Sequence, residues 1–302
     1  MKTIAPMIVL ALLLQDAPSA WADDPVFRPF IVASTEPGDL ETRTGEVIDA
    51  LAEAGFELAG RYSPLPDTEV LVVTDEELLS IAAQSARGGY AAGQRVSITD
   101  RDGTVEVAFV NPLYIEHAYR LEASMQGIHD RLSSALGNLR SCGAGDKKMT
   151  GKKLRKYNYM MTMQKFDDPS ELASFGSYQE ALEAVETGLA DPDDELVKVY
   201  RIDLPGKDQS VFGVGMPSFG GDEEPRSESY QMEIVDFEGC RKRAYFPYEV
   251  LVDGPNVEAL HMRFRMAVHF PNLSMTGQHG FTKLMPYPKA VERALEDMLA
   301  RD

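Results

Sequence analysis

The sequence predicts an α+β protein of two related domains, each a mostly antiparallel sheet packed against helices. Three observations carry this. Short apolar strands alternate with amphipathic helices, Asp-Gly hairpin signals occur once in each half, and the turn chemistry repeats in the same order. A chain of 302 residues also has the length of two ordinary domains.

In the first half, residues 30–34 read as a strand. Gly38-Asp39 opens a helix whose Leu40, Val47, Ile48 and Leu51 fall on one stripe, and Gly55 closes it. Residues 56–62 and 69–73 are strands separated by Pro64 and Pro66, and a helix is predicted over 75–85. Strands 95–99 and 104–110 flank Asp102-Gly103. Asn111-Pro112 then starts a helix with Asn as cap and Pro in the first turn.

The second half follows the same plan. Residues 157–166 alternate as a strand, and a helix over Tyr178, Leu182, Val185 and Leu189 follows Gly176-Ser177. Strands 198–203 and 210–214 come next. Strands 248–252 and 257–270 flank Asp253-Gly254, and a helix over 288–300 ends the chain. The offset between counterparts grows from 138 residues at Gly38 and Gly176 to 151 at Gly103 and Gly254, as insertion into a second copy would produce. We therefore expect an internal duplication: a first domain over 23–140, a linker over 141–152 and a divergent second copy over 153–302. Residues 218–229, rich in Gly and acidic side chains, are the expected insertion.

The N-terminus reads as a signal peptide. Lys2 precedes an apolar run from Ile4 to Leu14, too short to span a bilayer, and Ala20-Trp21-Ala22 offers cleavage after Ala22. A Sec-exported, periplasmic protein is expected, with no transmembrane segment in the mature chain. Cys142 and Cys240 are then expected to form one disulfide. The formal net charge of −18, from 48 acidic and 30 basic residues, argues against nucleic acid as a partner. Six of the ten residues 147–156 are basic nonetheless. That run could meet anionic lipid headgroups or an acidic partner, or simply face the domains' own carboxylates on a flexible linker.

Several segments resemble one family. Residues 68–73 (TEVLVV), Gly88-Gly89-Tyr90, 94–98 (QRVSI), 110–114 (VNPLY) and the glycine-proline segment 211–217 (VFGVGMP) resemble the domain-of-unknown-function 302 family. The resemblance covers about 90 residues of the first half and is weaker in the second. It implies an α+β domain that self-associates when single, and hence an intramolecular pseudo-dimer of two copies here. It implies no activity.

No nucleophile elbow, zinc-protease helix or EF-hand loop is present. Residues 145–152 miss the phosphate-loop spacing, and Gly213-x-Gly215 lacks the rest of a dinucleotide fingerprint. Two constellations remain as candidates. Tyr90, Arg95, Asn111, Tyr114 and His117 could converge in the first copy, as a ligand site or as a hydrolase site using Tyr90, Arg95 and His117. On a final strand, His261, Arg263, Arg265 and His269 would share one face able to hold an anion, a haem propionate or a metal. Met160, Met161 and Met163 suit Cu(I) chemically but are read as core filler, and no metal-ligand spacing exists among the histidines. The reading is an exported accessory protein or binder of a small ligand rather than an enzyme, with haem or copper handling as the alternative.

Overall fold

A computed structural model describes residues 24–190, 196–217, 226–237 and 239–300. The signal-peptide segment and most of the expected insertion at 218–229 lie outside the described residues. The fold is α+β, with antiparallel strand pairing throughout the named sheets.

The chain first forms β1 (Val26–Phe27), β2 (Phe30–Pro37), α1 (Leu40–Glu53), β3 (Glu57–Leu65), β4 (Thr68–Thr74) and α2 (Glu76–Ala83). A 3-10 turn at Gly88–Ala91 leads to β5 (Gln94–Asp100), β6 (Thr104–Val110), α3 (Pro112–Ala118), α4 (Gln126–Leu136) and β7 (Arg140–Cys142). The larger sheet has the order β3-β4-β5-β6-β2-β7. Its helix starts are set by local chemistry: Asp39, Asp75 and Asn111 accept from the backbone N–H of Thr42, Leu78 and Leu113 at 2.9, 2.7 and 3.1 Å. At the β5–β6 hairpin, Asp102 and Gly103 both adopt positive φ, 55° and 83°, the backbone that a two-residue turn of this hand demands.

After β8 (Met149–Thr150) and α5 (Gly151–Arg155) come β9 (Ser170–Ser174), α6 (Tyr178–Ala190), β10 (Val197–Asp203), β11 (Gln209–Gly215) and α7 (Glu228–Val235). A second 3-10 turn at Arg243–Tyr245 leads to β12 (Tyr248–Asp253), β13 (Asn256–Ala259), α8 (Met262–His269) and α9 (Tyr287–Leu299). The smaller sheet is ordered β10-β11-β12-β13-β9. With β2 matched to β9, and β3 through β6 to β10 through β13, its strand order is that of the larger sheet without β7.

The sheets meet reciprocally. The turn at Gly88–Ala91 lies against β11 and β12, the turn at Arg243–Tyr245 lies against β4, β5 and β6, and edge strand β3 meets edge strand β10. Gly89 N–H donates to Gln209 Oε1 at 3.1 Å, and Gln209 Nε2 donates to the Ala86 carbonyl at 2.8 Å. The buried apolar side chains of both sheets form one continuous core.

Three expectations need correction. Residues 157–166 form turns, not a strand: Tyr157 is anchored by its hydroxyl on the Ala267 carbonyl, and Phe166 stacks on Tyr119, so tertiary contacts replace a ladder. The predicted strand over 257–270 stops at Ala259 and continues as α8. Met262 and all residues from Phe264 to His269 are buried, so the helix is enclosed on nearly every side and shows no helical period. The segment read as a flexible linker does not run free. Cys142 pairs with Phe30, Thr150 with Val26, and Ala144, Met149 and Leu154 are buried.

Candidate functional site

Between the sheets lies a seam of charged and aromatic side chains. Arg95 on β5, Glu249 on β12, and Arg265 and His269 one turn apart on α8 are 3 %, 2 %, 1 % and 0 % exposed. Arg95 Nη1 donates to Glu249 Oε2 at 2.8 Å, Arg265 Nη2 lies 3.5 Å from the same oxygen, and the Tyr200 hydroxyl donates to Glu249 Oε1 at 3.2 Å. Arg265 Nη2 also donates to the carbonyls of Tyr245 and Pro247 at 2.7 and 2.6 Å, and its guanidinium stacks 4.0 Å from the Tyr245 ring centroid.

His269 is neutral here. Its Nδ1 lies 2.9 Å from the Arg265 carbonyl, which can only accept, so Nδ1 carries the proton and Nε2 is free to accept from Arg95 Nη2 at 3.4 Å. Burial, reinforced by Arg95 and Arg265, pushes its pKa well below the usual value. Burial holds the phenols of Tyr200 and Tyr245 protonated. Two guanidiniums therefore face one carboxylate within the cluster, with carbonyl oxygens and ring faces supplying the remaining negative potential.

Two further contacts extend the seam. Arg87 pairs with Glu258 at 2.7 and 3.1 Å, and the Tyr90 hydroxyl lies 3.4 Å from the same carboxylate. Tyr62 on β3 donates at 2.6 Å to Glu228, whose other oxygen accepts from Met216 N–H at 3.1 Å. Burial raises the Glu228 carboxyl to about 7. The glycines of 211–217 make these contacts fit: a Cβ at Gly213 would lie 2.1 Å from the Tyr200 ring, and one at Gly215 2.4 Å from the Tyr62 ring.

The structure brings together Tyr90, Arg95, Arg265 and His269 from the two candidate constellations. The others serve elsewhere. Asn111 caps α3, and Tyr114 donates to the Val268 carbonyl at 2.6 Å. His117 packs on Phe27, with ring centroids 4.9 Å apart, and so does not complete a hydrolase site with Tyr90 and Arg95. His261 caps α8 by accepting from Arg263 N–H at 3.1 Å, and Arg263 points to solvent. The proposed strand face of His261, Arg263, Arg265 and His269 does not exist: in α8 only Arg265 and His269, four residues apart, reach the seam, while Arg263 leaves the helix on another side and His261 is taken up in capping it. With both His269 nitrogens engaged, the residues do not fit a haem or copper site there. Glu249 and the surrounding tyrosines were missed by sequence reasoning; the available signal was a carboxylate inside the apolar run of residues 248–252.

The second region is on the surface. A pocket of about 200 Å³ is lined by Tyr159, Met160, Met163, Met266, Met275 and Met285, together with Arg263 and Phe281. Met285 is 68 % exposed and neighbouring Met161 94 %, which corrects the reading of the methionine cluster as core filler. Lys147 Nζ stands 5.8 Å from the Tyr159 ring centroid. The six basic side chains of residues 147–156 form no ion pair among the described residues. Among them, Arg155 and Lys153 donate to the carbonyls of Leu121 and Lys148.

Cys142 and Cys240 form a disulfide with Cα atoms 6.5 Å apart. Among the described residues no helix is long and apolar enough to cross a membrane, and no group of three or more His, Cys, Asp and Glu side chains is placed to hold a metal ion.

No family model matches the chain, and no curated protein matches it. Among solved structures, the chain is similar to the uncharacterized conserved protein DUF302 from Bacillus stearothermophilus, at 15% identity and a TM-score of 0.32. The match covers 38% of this chain and 98% of that one. A likeness at this level carries no conclusion about function.

Proposed function

We propose that the protein is an exported, periplasmic accessory or ligand-binding protein without catalytic activity, whose two halves are copies held as an intramolecular pseudo-dimer. The observation that carries this reading is the use made of the seam. Its central Arg95, Glu249, Arg265 and His269 are of the types that perform acid–base chemistry, yet they are sealed from solvent and bonded to one another across the two sheets. The matching strand orders and reciprocal turns support the duplication, and the disulfide agrees with an oxidising compartment.

The test is a screen of the purified mature chain against ester, phosphate and glycoside substrates, with Arg95→Lys as the control. We expect no rate above background. Turnover lost in a folded Arg95→Lys variant would overturn the reading.

A further inference from the structure

We infer that the methionine pocket binds a small anionic amphiphile, a carboxylate carrying an aromatic ring or short acyl chain; this rests on the binding-protein reading above and names its site. The volume sets the size. About 200 Å³ exceeds the roughly 150 Å³ of an engineered apolar cavity that takes benzene, and falls short of what a long lipid chain would fill. The lining sets the apolar part of the ligand. Unbranched thioethers adapt their shape to varied apolar groups, and Met160, Met275 and Met285 stand open to water over a floor that includes the buried Met266.

Charge sets the head group. Arg263 is exposed at the pocket and has no ion pair or side-chain hydrogen bond among the described residues, while its helix neighbour Arg265 is buried and donates through Nη2 to two carbonyls. Lys147 Nζ stands 5.8 Å from the ring centroid of Tyr159, which lines the pocket, and burial together with Lys153 lowers its pKa. On a chain with net charge −18, Arg263 and Lys147 bring positive charge without an ion pair among the described residues close to this apolar concavity. The same charges disfavour a cation: thioethers suit Cu(I), but a monovalent cation here would sit beside a guanidinium and an ammonium with no carboxylate among the lining residues. A carboxylate satisfies the arginine by a paired hydrogen bond and places its tail among the methionines.

The experiment uses the mature chain with 13C-methyl methionine, titrated with octanoate, octylamine, Cu(I) and vesicles of anionic phospholipid. Octanoate is expected to shift the methyl signals of Met160, Met163, Met275 and Met285, with a Kd on the order of 0.1 mM. Arg263→Glu is expected to weaken it about tenfold, and octylamine to cause no comparable shift. Arg263 is exposed and unpaired, so this variant is expected to fold; its remaining methionine spectrum checks that. The inference is overturned if octanoate leaves these methyls unmoved, if octylamine binds equally well, if Arg263→Glu binds octanoate unchanged, or if only Cu(I) or vesicles perturb them. An added arm separates the two readings. Hydrolysis of 4-nitrophenyl octanoate would sink the non-catalytic reading while leaving the pocket in place, whereas absent octanoate binding without turnover would sink only the pocket.

Discussion

Arg263 and Arg265 leave the same helix two residues apart and meet opposite fates. Arg265 is enclosed by Tyr245, Tyr248, Glu249 and two carbonyls, whereas Arg263 stands in solvent at the mouth of an apolar pocket. Burial ties the first to the packing between the sheets and keeps it from meeting a ligand. Exposure makes the second nearly dispensable for folding and free to bind. Residue type therefore says little about role in this protein; the partners surrounding each group decide it.

The sharpest way to break this contrast is Glu249→Leu. It would leave two buried guanidiniums without their carboxylate, and loss of one partner from a buried pair costs about 3–5 kcal/mol. In thermal unfolding this should lower Tm by roughly 10 °C. A Tm within a degree of the parent would mean the seam is not what holds the sheets together.

Reduction of the Cys142–Cys240 bond should come next. It closes a separation of 98 residues, for which a native bridge contributes about 2–4 kcal/mol. Urea titrations with and without reductant should show that loss. Because Cys142 lies on β7 of the larger sheet and Cys240 precedes the turn that packs on that sheet, parting of the two sheets should follow reduction more readily in Glu249→Gln than in the parent.

A finer probe is pH at Glu228. The groups facing it are the Tyr62 hydroxyl, the Met216 amide, and at longer range Arg265 and Tyr287. Its folded pKa, about 7, lies above the ordinary 4.5, so the folded state holds a proton that the unfolded chain releases. This contribution is fully present below about 4.5 and is lost as pH rises to about 7, on the order of 3 kcal/mol across the window. Glu228→Gln should remove that part of the slope, measured as the difference between the two proteins' pH–stability curves. His269 acts in the opposite sense: its depressed pKa makes stability fall as pH drops below the ordinary histidine value. Coincident curves for parent and Glu228→Gln would show that Glu228 titrates normally.

The smallest effects belong to the pocket. Arg263→Ala and Met285→Ser should each change stability by less than about 0.5 kcal/mol, because neither side chain is covered. Mild peroxide should oxidise Met161 first, with mass spectrometry showing one added oxygen before Tm moves.

Local chemistry made much of the fold readable. Asp39, Asp75 and Asn111 cap helices, and Asp102-Gly103 turns a hairpin, through atoms within a few residues of each other, so sequence spacing alone specified them. The disulfide followed from compartment and cysteine count. The segments 157–166 and 262–269 were misread for a common reason: their side chains are satisfied by distant residues, and a helix enclosed on nearly every side carries no amphipathic period. Arg95 and His269 were visible as candidates, but their meeting across 174 positions of sequence was not. Tertiary structure alone decided that the convergent polar groups close a seam and that the methionines open a pocket, because burial is a property of what packs around a residue and is not encoded at its own position.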